Sequence, residues 1–344
     1  MKTHAIVKVI RSLIALSLGV ALLLFAVVIV YQLNPFWFKT QKVAVDPEHW
    51  APRSIQTDLP MGTEGKLIKY GYLLATETPK WMGPKVINPE HQYTGNNLSC
   101  SNCHLQAGTK AGAASWVGVT HRFPQFRNRE NREGTIEDRI NGCMERSMNG
   151  KALPDNSQQM RAMVAYMEWL SEDVPPVREK EYDGFPSLSI PDVAADLATG
   201  KAIYERECES CHGVEGEGVW KSDSTQGYQY PPLWGADSYN HGAGMNRLLT
   251  AARFIKGNMP LGQATQEAPK LSDEEAYHVA AYIDSFERPE KENTEEDYPD
   301  RTLKPVSTPY GPWADDFPPE QHKFGPYPPI ITYYQEQYGI TKNN

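Results

Sequence analysis

The 344-residue chain has five cysteines, and four of them fall in two copies of one pattern. Cys100-Ser101-Asn102-Cys103-His104 is the first copy and Cys208-Glu209-Ser210-Cys211-His212 the second. Two thiols at this spacing reach both vinyl groups of one porphyrin as thioethers, and the adjacent His then lies under the iron. Each copy therefore predicts one covalently attached haem c, with His104 and His212 as axial ligands to iron. A lone C-x-x-C would also fit a redox dithiol or half a zinc site. A four-Cys zinc site, however, leaves both His residues unexplained. Five cysteines cannot all pair as disulfides.

Two haems need two further axial ligands unless an iron is left open. For the second haem the sequence points to Met259, in Lys256-Gly257-Asn258-Met259-Pro260, a Pro-containing loop between two helical stretches. A thioether delivered there raises the haem potential. Lys256 and His241 are the alternatives. For the first haem the spare cysteine is Cys143, in Ile140-Asn141-Gly142-Cys143-Met144-Glu145-Arg146-Ser147-Met148-Asn149-Gly150. A single thiol is ordinarily a buried structural residue. In an oxidising compartment it is a liability that asks for a role, and as a thiolate it would donate strongly to Fe(III) and lower the potential. Met144 and Met148 are rivals on the same segment.

The elements that must position these groups read as helical. Met160, Met163, Val164, Met167 and Leu170 recur at offsets of three and four, which predicts an amphipathic helix over 157–171. Its methionines read as core filler. A linker from Glu172 to Pro191 follows, with Pro175-Pro176 and Asp183-Gly184 as breakers. Helices are predicted over 193–206, over 245–256 with a stop at Gly257, and from Ser272, where Ser272 and Glu275 form a capping-box pattern. Residues 40–95 show no strong periodicity, and no strand pattern of any length is visible. The expected fold is all-α with two cytochrome c-like haem domains. The expected units are a membrane anchor over 1–39, a first haem domain over 40–180, a second over 181–290 and a tail over 291–344. That tail holds nine Pro and nine aromatic residues. It reads as an extended strap pinned by its aromatics.

At the N-terminus, Lys2, Lys8 and Arg11 precede an uncharged run from Ser12 to Tyr31. About 20 residues of helix span a hydrocarbon core of roughly 30 Å. Tyr31, Phe36, Trp37 and Phe38 fall where an outer aromatic belt would lie, and the one-sided positive charge predicts a cytoplasmic N-terminus with the remainder exported. A cleaved signal peptide would have a shorter apolar core ending in small residues, which Val27–Gln32 does not supply. The expectation is an uncleaved anchor in the inner membrane and a periplasmic catalytic part. Net charge is −9 and charged residues make up 22% of the chain. That balance speaks against a nucleic-acid partner held by bulk electrostatics and against wholesale disorder.

Taken alone, these residues fit an anchored di-haem electron carrier, a di-haem peroxidase or a subunit of a larger complex as well as an enzyme with sulfur chemistry. The segment Ile140–Gly150 is more specific. It resembles the cysteine-ligand segment of the di-haem thiosulfate dehydrogenase/tetrathionate reductase family, which is related to a subunit of the sulfur-oxidising Sox complex. The resemblance covers about residues 55–290 and extends into the Pro-rich tail. It implies His/Cys ligation of an active-site haem by His104 and Cys143, and a second haem that relays electrons to or from a c-type cytochrome or membrane redox protein. It further implies substrate roles for Arg129 and Arg139, with Ser147 as a hydrogen-bond donor and Gln125 and Asn149 as weaker candidates. Some members carry Lys beside the Met ligand; here the neighbour is Asn258.

Thiosulfate and tetrathionate are dianions. Two thiosulfates brought sulfur to sulfur, with charge centres about 6 Å apart, repel by about 11 kcal/mol at an effective dielectric of 20. A site that joins them must supply cations. Six arginines (122, 127, 129, 132, 139 and 146) and five acids lie between His121 and Arg146, a concentration of forked donors suited to oxyanions. Pairing with the acids or with haem propionates is the competing use of these arginines.

Overall fold

A computed structural model of the chain describes residues 2–33 and 47–342. The described residues form two units. The first contains a single helix, Lys2–Leu33. Within it, Ile6–Val30 has a mean hydropathy of 3.1 and is long and apolar enough to cross a membrane. The side chains of Tyr31, Phe36, Trp37 and Phe38 lie outside the described residues.

The second unit is mostly helical and holds two apolar cores. The first core is built by helix Gly62–Thr76 against helix Gln158–Ser171, with Ile68, Leu74, Met160, Met163, Tyr166 and Leu170 buried between and around them. Close approach is made possible by Gly71, where a Cβ atom would lie 2.0 Å from the carbonyl oxygen of Ala162. Ser157 starts the second of these helices by accepting from the Met160 amide, which satisfies one of the four unpaired N–H groups of a helix start. The observed range agrees with the 157–171 expectation. Helix Gly62–Thr76 leaves little periodic signal, because two residues of its buried face are glycines, Gly65 and Gly71. A further helix, Ile136–Arg146, is opened by a reciprocal capping box between Thr135 and Asp138 and carries Cys143 in its third turn.

The second core packs helices Leu197–Glu207, Leu248–Asn258 and Asp273–Ser285 around Ile203, Tyr204, Leu249, Ile255 and Tyr277. The first begins four residues later than expected because Asp196, not the residues before it, caps it by accepting from the Ala198 amide at 2.9 Å. The second begins at Leu248 and runs through Gly257. That glycine fits against Pro186, where a Cβ atom would meet the proline ring at 2.3 Å. The Ser272–Glu275 box opens the third helix as expected.

Two corrections to the sequence reading follow. The unit contains two short antiparallel hairpins, Gln125–Arg127 with Arg132–Gly134 and Val219–Trp220 with Tyr228–Tyr230, each too short to leave an alternating pattern. The tail is packed, but it is not extended throughout. It ends in helices Pro319–Phe324 and Pro328–Tyr338. Their prolines stand at the first helical positions, where the missing N–H is no loss. Tyr327, Ile330 and Tyr334 complete the second core. Lys304 is 1% exposed. Its ammonium donates to the Pro312 carbonyl at 3.0 Å and sits 4.8 Å from the Tyr310 ring centre, a cation–π contact that pins the tail.

Candidate functional site

The first C-x-x-C-H lies on a single 3-10 turn, Cys100–Asn102, opened by Ser99, whose amide donates to Asn102 Oδ1 at 2.7 Å. The turn presents His104 so that its Nδ1 lies 2.7 Å from the Ala114 carbonyl oxygen. A carbonyl only accepts, so Nδ1 carries a proton, and Nε2 is the ring atom left to face Cys143 and to bind a metal. The same device recurs at the second copy, where His212 Nδ1 lies 2.8 Å from the Pro231 carbonyl oxygen. Trp116 packs on the His104 ring at 5.0 Å between centres.

Cys143 projects from helix Ile136–Arg146 toward His104. Arg139 is one turn earlier on the same face, and its Nη1 donates to Cys143 Sγ at 2.8 Å. Burial pushes the Cys143 thiol up, but the Arg139 guanidinium and the hydrogen-bonded His104 imidazole outweigh it and bring it down to about 6. The attachment cysteines behave oppositely. Burial pushes Cys100 up to about 11, and Cys103 and Cys208 to about 12. Of these four thiols Cys143 alone is shifted toward the thiolate, the form that binds metal and attacks sulfur. All five cysteines are free of disulfides.

The residues present fit two haems. Cys100, Cys103, His104 and Cys143 line one cavity of about 310 Å³. Cys208, Cys211, His212 and Met259 line another of about 970 Å³. Leu98, Cys103, Tyr239 and Met245 line both, so the wall between them is one side chain thick. Each cavity thus brings the two cysteines of a C-x-x-C-H pattern, its His and a further sulfur to the same space. Behind the shared wall, the Tyr239 hydroxyl donates to Asp284 Oδ1 at 3.3 Å, and the Arg288 guanidinium stacks 4.5 Å from the Tyr239 ring centre.

The other candidates divide. Arg139, Ser147 and Gln125 line the first cavity, as do the rival donors Met144 and Met148. Arg129 is turned toward the tail. Its Nη1 donates to Asp297 Oδ2 at 2.6 Å and to the Gly242 carbonyl and Tyr310 hydroxyl at 3.1 and 3.0 Å. Asn149 Oδ1 accepts from Asn240 Nδ2 at 3.1 Å. At the second cavity, the Lys256 ammonium is held by Asp273 at 2.5 Å and by the Ser187 carbonyl. His241 Nδ1 accepts from the Lys291 amide at 2.9 Å. Asp297 is the polar residue that sequence reading missed: it lies far along the chain in the tail, and no local pattern marks it.

Two C-x-x-C-H turns, each with its His held by a backbone carbonyl in a cavity that a further sulfur also lines, fit a c-type cytochrome with two cytochrome c domains. Residues 90–175 match the SoxA/TsdA cytochrome c domain family, and residues 197–287 match the cytochrome c family. Thiosulfate dehydrogenase of Allochromatium vinosum is 42% identical over 67% of this chain and 82% of its own length. That of Psychrobacter arcticus is 40% identical over 71% of this chain and 70% of its own, and that of Stutzerimonas stutzeri 39% over 68% and 72%. The solved thiosulfate dehydrogenase TsdBA of Marichromatium purpuratum superposes with a TM-score of 0.63 at 33% identity, covering 72% of this chain. The match spans about half, 51%, of that solved chain. The chain belongs to the thiosulfate dehydrogenase family.

Proposed function

We propose that this protein interconverts two thiosulfates and tetrathionate at the Cys143 cavity, with two covalently attached haem c groups. In this reading the 40–180 domain is catalytic and the 181–290 domain passes electrons to or from a respiratory partner, a c-type cytochrome or a membrane redox protein. The apolar N-terminal helix, with Lys2, Lys8 and Arg11 all gathered at its N-terminal end, supports anchoring in the inner membrane with the catalytic part in the periplasm.

The observation that carries the proposal is the Cys143 thiolate, held by Arg139 at 2.8 Å and facing His104 in one cavity. His104 and Cys143 would hold the first iron and His212 and Met259 the second. When bound, the pair of haems takes up or supplies the two electrons one at a time. The Cys143 thiolate forms a sulfur–sulfur bond with the terminal sulfur of one thiosulfate. That step gives Cys–S–S–SO3(−) and releases two electrons. A second thiosulfate attacks the terminal sulfur of the first, frees the Cys143 thiolate and leaves as tetrathionate. Both steps balance in charge, and both need cations: the first brings a thiolate against a dianion, the second brings two sulfonates together. Arg139 sits on the reacting sulfur, and Ser147 and Gln125 on the cavity wall serve as donors to sulfonate oxygens.

The test is anaerobic. Thiosulfate added to the oxidised holoprotein should reduce it, and tetrathionate added to the reduced form should oxidise it. Cys143→Gly should lose both reactions while both haems stay attached. Substantial turnover in that variant would contradict the catalytic role.

A further inference from the structure

Joining two dianions needs more free positive charge than Arg139 supplies, and most arginines of the cluster are committed elsewhere. Arg127 is held by both oxygens of Glu130 at 2.9 Å. Arg132 is held by both oxygens of Asp138. Arg129 and Arg146 share Asp297 at 2.6 Å each. Arg122 is different. It lines the same cavity as Cys143 and Arg139. Its partner is Asp183, whose side chain is 58% exposed against 29% for Arg122. Glu179, whose charge also acts on Arg122, lies beside His121 at 3.5 Å.

An ion pair this exposed contributes little, so a competing anion exchanges with it readily. Burial draws the Arg122 guanidinium below its usual range; the Glu179 charge works against that and the Arg139 charge adds to it. Both features describe a half-buried cation whose direct partner is an exposed carboxylate. The segment that carries Asp183 also closes one wall of the cavity, since Asp183, Gly184 and Phe185 all line it. Gly184 takes a φ of +68°, a turn open to glycine. Its carbonyl accepts from the Ala114 amide at 2.9 Å, and Ala114 is the residue whose own carbonyl holds His104.

We propose that Arg122 binds the sulfonate of the second thiosulfate, and that Asp183 occupies its guanidinium until that sulfonate displaces it. This rests on the function proposed above and names the residue that receives the second substrate. The fork of Arg122 matches two sulfonate oxygens, and the carboxylate on a turn swings out into solvent. Asp183 thus competes with substrate, and its removal should improve binding.

The test uses the full-length holoprotein and two readouts. Steady-state thiosulfate oxidation gives KM and kcat. Dithionate, a redox-inert dianion with two sulfonate ends, gives a Kd from its effect on thermal melting of the oxidised protein. Arg122→Gln should raise the thiosulfate KM and the dithionate Kd about tenfold, the loss of one charge-assisted contact, with kcat within about twofold. Asp183→Asn, at an exposed position, should fold normally and lower both constants severalfold. Arg122→Lys should fall between. If Arg122→Gln leaves both constants at the wild-type values, or if Asp183→Asn raises them, the inference is overturned. A wild-type protein that does not oxidise thiosulfate would instead overturn the function on which it rests.

Discussion

Loss of Asp297 should destabilise the unit strongly. Its carboxylate is 7% exposed and takes Arg129 Nη1 and Arg146 Nη2 at 2.6 Å each and the Tyr310 hydroxyl at 2.7 Å. Asp297→Asn keeps the shape and removes the charge, leaving two guanidiniums whose side chains are 13% and 11% exposed without their shared counterion. At about 6 Å and an effective dielectric of 20 these two cations repel by about 3 kcal/mol. Breaking a buried pair on one side costs about 3–5 kcal/mol in all. For a unit of this size that is a fall in Tm of roughly 6–12 °C, read by circular dichroism melts of the holoprotein beside Glu296→Gln, an exposed neighbour expected to change stability by less than about 0.5 kcal/mol. Burial alone would raise the Asp297 carboxyl, but the two arginines outweigh it and hold it below its usual 3.8. A depressed carboxylate contributes stability above its unfolded pKa that is lost as pH falls through its folded one. The gap between variant and wild type should therefore close in acid. A loss under about 1 kcal/mol at neutral pH would refute the claim that the tail holds these arginines through Asp297.

Two further outcomes follow from other parts of the unit. Gly71→Ala should destabilise by about 2 kcal/mol or more, since the added methyl would meet the Ala162 carbonyl at 2.0 Å and overpacking outweighs the helix propensity gained; a lower denaturant midpoint at unchanged m-value checks it. Asp284 is 3% exposed, and burial pushes its carboxyl up to about 7, so between about pH 4 and 7 the folded chain holds a proton that the unfolded chain releases. Stability from this group falls as pH rises through that window, and Asp284→Asn should flatten the pH profile of Tm there.

How much of this was legible beforehand depends on the range of the interaction. The helices opened by Ser157 and Ser272 are local patterns and stand where the sequence put them, and the two C-x-x-C-H patterns, also local, each line a cavity. The helix of residues 62–76 was not legible because its packing surface relies on glycines, which carry no hydrophobic signal. The two hairpins are at most three residues per strand. The Pro-rich tail misled because proline at a helix start and proline in an extended strap look alike in composition. Arg129 lies near Cys143 in sequence, yet its guanidinium is engaged by Asp297, 168 residues away. The cavity-facing role of Arg122 depends on a linker that only folding brings to it.

The central claim is that the Cys143 sulfur and His104 share one haem iron. Low-temperature EPR of the oxidised holoprotein tests it most directly. The account predicts a thiolate-ligated low-spin signal that disappears in Cys143→Gly, beside a second signal that the variant keeps. A wild-type spectrum with only nitrogen- and thioether-ligated signals, identical to that of the variant, would contradict it.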